Sequence, residues 1–196
     1  MMNDPCNARV RRKLSTRGAV AVLSALCLVA TAPRASAEPR ELRFGPPSSE
    51  VDFRAYKLGL LPADGTFASF GGQLSYDPDD HAHCQVTLHV DAASVTSDDA
   101  TTRTMVPGPD FLDVARFPSL SYTGTCNASG LDGTLDMHGV AHAFALTVTW
   151  THDGVVAEGR LIRADWGMTA LPALGGRTIR IRVSIPLPAG HSTAHN

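Results

Sequence analysis

The sequence predicts an all-β protein: one antiparallel sheet of about eight strands in up-and-down order, rolled into a barrel. Three observations carry this. From Val51 to Ile185, apolar residues recur mostly at every second position, the spacing that places them on one face of a strand. Turn signals cut that rhythm into hairpin lengths: Asp77-Pro78-Asp79-Asp80, Asn127-Ala128-Ser129-Gly130, His138-Gly139 and Asp153-Gly154. Finally, neither an internal repeat nor a second composition regime divides the chain, so its 196 residues read as a leader followed by one domain.

The leader is residues 1–37. Arg9, Arg11, Arg12, Lys13 and Arg17 precede an apolar run from Gly18 to Ala32, and Ala35-Ser36-Ala37 supplies the small residues of a cleavage site. This is the pattern of a secretory signal cut near Ala37-Glu38, which predicts a periplasmic or secreted product. The run is short for a membrane anchor. Arg11-Arg12 leaves the export route, general or twin-arginine, open. Cleavage removes six of the 17 Lys/Arg and one of the 19 Asp/Glu, so eleven bases and eighteen acids remain, a net charge of −7. An acidic domain with a single lysine, Lys57, lacks the basic stripe that nucleic acid requires, and no nucleic-acid partner is expected.

Residues 38–47 read as a polar, proline-bearing lead-in, residues 48–188 as the barrel and residues 189–196 as a flexible tail. The first strand is Ser48 to Leu58, with Val51 and Phe53 on one face. Pro62-Ala63-Asp64-Gly65 reads as the turn to a long second strand, Thr66 to Tyr76. The apolar phase of that strand slips between Phe67 and Phe70, which places a bulge near Ser69-Phe70. Cys84 to Asp91 is a cleanly alternating third strand. A long connection, Ala92 to Pro118, follows; it is expected to hold one or two helical turns and to cap something. Ser119 to Cys126 is the fourth strand. The next two meet at His138-Gly139, Leu135 and Met137 on one side and Phe144, Leu146, Val148 and Trp150 on the other. Val155 to Ile162 and Arg177 to Leu187 complete the meander, with an irregular loop between them. Arg180 and Arg182 on the last strand are placed to meet Glu50 and Asp52 on the first.

If the third strand pairs with the fourth so that Val90 faces Leu120, Cys84 faces Cys126, and an oxidising compartment allows a disulfide there. The alternative is two independent thiols. Eight histidines invite a metal reading, but His81 and His83 lie at a turn, His89 points outward, and His138 and His142 flank a bend. No fourfold ligand set converges, so neither metal nor cofactor is expected. The G-x-S-x-G and H-E-x-x-H patterns are absent, and no catalytic residue is assigned.

Six short stretches together resemble one family. They are Ser49-x-Val51-x-Phe53, the run G-T-F-A-S-F-G-G-Q-L from Gly65, D-A-A-S-V from Asp91, G-P-D-F-L-D-V-A-R-F-P from Gly108, G-T-L-D-M-H-G-V from Gly133 and I-R-A-D-W-G-M from Ile162. In this order they resemble the YceI-like family of secreted polyisoprenoid-binding proteins. The resemblance spans about Ser48 to Leu187. Two departures stand out: the frequent R-D-x-H-L segment appears here as Arg103-Thr104-Met105-Val106, and Lys57 stands where a histidine is common.

The resemblance implies an extended lipocalin-like barrel that binds rather than transforms. Its channel would hold an isoprenoid, quinone-like or fatty-acyl chain. The inward residues expected to line it are Phe53, Phe67, Phe70, Val86, Leu88, Leu120, Tyr122, Leu135, Met137, Phe144, Leu146, Val148 and Ile181. Gly124, Gly133, Ala157 and Gly159 on the same face are expected to leave room. Arg103, Phe111, Phe117, Arg163, Asp165 and Trp166 are expected at the channel mouth, with Phe111 and Phe117 as plugs. Transient contact with a membrane or membrane enzyme, and a homodimer, stay open. Two other classes compete: a secreted enzyme acting on a lipid, and a protein-interaction barrel with a filled core.

Overall fold

A computed structural model describes residues 38–171 and 176–188. The expected signal segment, residues 1–37, and the expected tail, residues 189–196, lie outside the described residues.

The described chain is an antiparallel sheet of eleven strands with one short helix. The strands are β1 (Arg40–Phe44), β2 (Glu50–Lys57), β3 (Leu61–Phe67), β4 (Phe70–Tyr76), β5 (Cys84–Asp91), β6 (Val95–Thr96), β7 (Ser119–Asn127), β8 (Gly130–Met137), β9 (Val140–Trp150), β10 (Gly154–Ile162) and β11 (Thr178–Pro186). The helix α1 is Ala100–Met105. Neighbours across the sheet run β1-β4-β5-β7-β8-β9-β10-β11-β2-β3-β6.

Period-two alternation explains the strands and their inner face. Along β5, Cys84, Val86, Leu88 and Val90 are buried while Gln85, His89 and Asp91 are exposed. β7 and β9 show the same pattern, and the inward residues form one continuous apolar cluster. Two turns use left-handed backbone. His138 and Gly139 (φ 55° and 74°) join β8 to β9, and Leu58 and Gly59 (φ 53° and 73°) open the turn from β2 to β3.

The strand count is eleven where about eight were expected, because β1, β3 and β6 were not legible as separate strands. β1 lies in the supposed lead-in; its Phe44 stands opposite Gly72 of β4, where a Cβ would come within 2.3 Å of the phenyl ring. β6 lies within the long connection and pairs with β3 through Thr96 and Val95. β3 occupies the segment expected to turn. Pro62 and Gly65 sit inside this strand, and the chain reverses earlier, at Leu58-Gly59-Leu60. Gly65 serves close packing instead of a turn: a Cβ there would lie 2.4 Å from the Phe53 ring.

The expected bulge is a full break. β3 ends at Phe67 and β4 begins at Phe70. β5 and β6 are interrupted at the same level by a 3-10 turn, Ala92–Ser94. Ala68 N–H donates to the Ser94 carbonyl (3.0 Å) and Asp91 N–H to the Ser69 carbonyl (3.0 Å), so the two ribbons stay bonded through the bend. This bend is what curls the sheet. Outside, Arg182 faces Asp52 in register but pairs with Glu158 (3.1 Å), while Arg180 faces Arg54, which is tied to Asp64 (2.6 Å). Neither arginine forms the expected pair with Glu50 or Asp52.

Candidate functional site

The curled sheet encloses an apolar cavity of ≈ 490 Å³. That is within the ~300–1,000 Å³ typical of small-molecule sites. Phe53, Phe67, Val86, Leu88, Leu120, Tyr122, Leu135, Met137, Phe144, Leu146, Val148 and Ile181 all stand in its wall, each on the inward phase of its strand. Phe70 does not. It shares the phase of Leu74 and Tyr76 but occupies the first rung past the bend, half-buried against the core cluster.

The expected source of space also differs. Ala157 lines the cavity, but Gly124, Gly133 and Gly159 do not. Side chains fill the room they leave: a Cβ on Gly133 would lie 2.5 Å from the Tyr122 ring, and one on Gly159 2.6 Å from Phe144. The Tyr122 hydroxyl reaches across and donates to the Phe144 carbonyl (3.0 Å). Burial, helped by Asp132, pushes its pKa up to about 12, so it stays neutral.

At the closed end Cys84 and Cys126 are joined as a disulfide with Cα atoms 4.8 Å apart, and both face the cavity. Val90 stands opposite Leu120, the register on which that pairing depends. Trp150 completes this end, stacked on His81 (4.2 Å between centroids, 9° between planes). The exposed members of the wall, Leu58, Leu61 and Thr101, all lie at the other end, which is therefore the mouth.

Of the six expected mouth residues only Phe111 lines the cavity. Arg163 lies behind it, its guanidinium 5.4 Å from the Phe111 ring centre. It is buried, donates from Nε to the Gly176 carbonyl (2.7 Å) and from Nη2 to the Ala170 carbonyl, and so holds two points of the loop before β11. Desolvation lowers its pKa. Asp165 is exposed and forms no ion pair with Arg163 among the described residues. Trp166 is buried behind the wall, where Nε1–H donates to the Leu135 carbonyl (3.0 Å) and the ring meets Phe144 edge-on (5.9 Å). Phe117 packs on His138 (4.7 Å) outside the cavity instead of plugging it. Arg103 projects from α1 and donates to the Ser97 carbonyl (2.6 Å).

The residues missed at the mouth are Lys57, Leu58, Leu61, Thr101 and Met105. Lys57 was findable: Val51, Phe53, Ala55 and Lys57 share one phase of β2. Its ammonium bonds to Asp99 Oδ2 (2.6 Å), the carboxylate that also caps α1 by accepting from the Thr102 N–H (3.0 Å). Lys57 first, then the hydroxyl and N–H of Thr102, hold the Asp99 carboxyl well below the ordinary range. Lys57 and Tyr122 are the titratable groups of the wall besides the bridged cysteines. They do not form an acid–base pair, so the lining offers apolar contact and shape.

Fold and site together define an all-β protein built around an internal apolar cavity with one mouth. The chain belongs to the YceI-like domain family, which it matches over residues 43–187. Among solved structures it is similar to BcnA of Burkholderia cenocepacia, at 19% identity and a TM-score of 0.61, covering 71% of this chain and 96% of that one. It is also similar to the YCEI protein of Campylobacter jejuni, at 17% identity and a TM-score of 0.50, covering 64% and 85%. At these identities the likeness concerns the fold. A "UPF0312 protein" of Pseudomonas savastanoi pv. phaseolicola is 26% identical over 110 residues, 53% of this chain and 57% of that one. One from Vibrio vulnificus is 31% identical over 91 residues, 46% and 48% of the two chains. The matched region thus spans about half the length of these curated relatives.

Proposed function

We propose that this protein binds a single apolar chain, of the polyisoprenoid, quinone-like or fatty-acyl class, and carries it through the periplasm without altering it. In this reading the bent ribbons β3-β4 and β5-β6 each act as one strand, β1 is an edge strand added beside β4, and the remaining eight form a lipocalin-like barrel, while residues 1–37 direct export. The observation that carries it is the ≈ 490 Å³ cavity, walled by the inward faces of the strands and open beside Leu58 and Leu61. A filled core would leave no such space, which argues against a barrel that works only through its outer loops.

Energetics favour transport over permanent storage. A five-carbon isoprene unit gains roughly 3–4 kcal/mol on leaving water, so eight units would exceed the practical affinity ceiling of about 20 kcal/mol. The ligand's real alternative is a bilayer. Transfer from one apolar medium to another is nearly neutral, so loading and release are both feasible.

Mass spectrometry of organic extracts from protein purified from its native envelope tests the proposal. One lipid class at near-stoichiometric amount is expected, and it should disappear when Ala157→Trp fills the cavity. Empty protein in repeated preparations, or equal lipid in the Ala157→Trp variant, would overturn it.

A further inference from the structure

Among the described residues, the large apolar side chains left exposed are Tyr56, Leu58, Leu60, Leu61 and Ile162. All belong to the mouth end of the sheet. Tyr56 and Leu58 to Leu61 form the tip of the β2–β3 hairpin; Ile162 ends β10, two strands away beyond β11. Leu60 is 83% exposed, and Leu58 and Leu61 are each 58% exposed. Scattered single leucines on a surface need no explanation, but a cluster at one end does.

Three further features single out this tip. Leu58 and Leu61 are at once exposed and part of the cavity wall, so apolar surface runs unbroken from the outside of the molecule into the site. Leu58 holds a left-handed backbone conformation (φ 53°) in a tight turn, a position where Asn or Gly would sit with less strain. A bulky residue at such a place is the kind of local cost that accompanies function. Finally, the two cations carried by this hairpin are already paired, Lys57 with Asp99 (2.6 Å) and Arg54 with Asp64 (2.6 Å). Burying the leucines in an apolar phase would therefore draw in no unpaired charge at these two sites, and Tyr56 beside them is a residue suited to a membrane–water boundary.

We propose that the β2–β3 tip is a lip that enters the surface of a lipid bilayer, bringing the cavity mouth against the lipid so that the ligand passes between them without crossing water. This rests on the lipid-binding reading above and adds the surface that performs the exchange. A narrow, convex, charge-neutral tip suits insertion among lipids, whereas a stable protein partner would require a broader complementary face.

Flotation of the purified protein with vesicles of phosphatidylcholine, a zwitterionic lipid, tests the lip. Wild-type protein should float, to the same extent in low and high salt. The double variant Leu58→Asn/Leu60→Ser should lose at least about tenfold in vesicle-bound fraction. Its thermal midpoint should be unchanged or higher, because asparagine accepts the left-handed turn position more readily. In a Leu60→Trp variant, emission should shift to the blue when vesicles are added. Wild-type protein that stays in solution, or a double variant that floats equally well, overturns the proposal. So does a concentration-dependent dimer that forms without vesicles and is lost in the double variant, since the tip would then be an interface between copies. The outcome is separable from that of the lipid-binding reading. Protein that carries extractable lipid but does not float sinks the lip alone, and protein that floats through its leucines yet never carries lipid keeps the lip and sinks the carrier.

Discussion

Lys57 and Asp99 show how one ion pair can serve two structures. The ammonium comes from the end of β2 and the carboxylate from the residue before α1, 42 positions on in sequence. Asp99 also caps α1 through the Thr102 N–H and accepts from the Thr102 hydroxyl, so a single side chain anchors the helix over the mouth. Its carboxyl lies well below the ordinary value of 3.8. The contribution of such a group is fully present above the unfolded value and is lost as pH falls through the lower folded one. Wild-type stability should therefore drop more steeply below pH 4 than that of Asp99→Asn, which has no carboxylate to protonate and should already be less stable at neutral pH. Thermal melts across the acid range measure both slopes; parallel slopes would show that the pair does not matter to folding. Arg163 gives the opposite lesson on legibility. Sequence placed it at the mouth as a charge with Asp165 beside it. In the fold it turns inward, because two backbone carbonyls from a loop that sequence could not fold need its donors. Phase along a strand is written locally, whereas the partner of a buried polar group is not.

At the scale of elements, the ladders with strong alternation were legible and the short edge pieces were not. β5 and β7 could be paired in register from Val90 and Leu120 alone, and that register brings Cys84 to Cys126. β1 carries two inward apolar residues, Leu42 and Phe44, and β6 one, Val95, too few to rise above the turn signals around them. Pro62 and Gly65 misled for a specific reason: a proline near the end of a ribbon and a glycine under a phenyl ring look, in sequence, like a turn. The disulfide closes a sequence separation of 42 residues between β5 and β7. Cross-linking a loop of that length is worth up to about 4 kcal/mol through the unfolded chain. The double variant Cys84→Ser/Cys126→Ser should lose about that much in urea unfolding, with the free energy recovered from midpoint and slope together. A loss well under about 1 kcal/mol would mean that the β5–β7 ladder already constrains the unfolded chain.

For the whole molecule, the distribution of charge predicts how binding responds to solution conditions. The outer face carries most of the acids and arginines, with Arg163 and Asp113 buried outside the cavity lining, and the cavity wall carries apolar atoms, a neutral tyrosine and one ammonium already paired with Asp99. A ligand held by electrostatic attraction would lose affinity as salt screens the charges, over a Debye length of about 10 Å at 0.1 M. A ligand held by burial of its chain gives a different pair of signatures: near-indifference to salt and a negative heat-capacity change. For a fluorescent isoprenoid or fatty-acyl analogue, Kd should therefore change less than about twofold between 50 and 500 mM sodium chloride. Calorimetry at several temperatures should return a clearly negative ΔCp. Val148→Asp, which sets a carboxylate into the wall, should weaken binding at least about tenfold at neutral pH while the salt response of the remaining binding stays flat. A Kd that weakens tenfold with salt would place the decisive contacts on charged groups at the rim, and the ligand would then be recognised by its head instead of its chain.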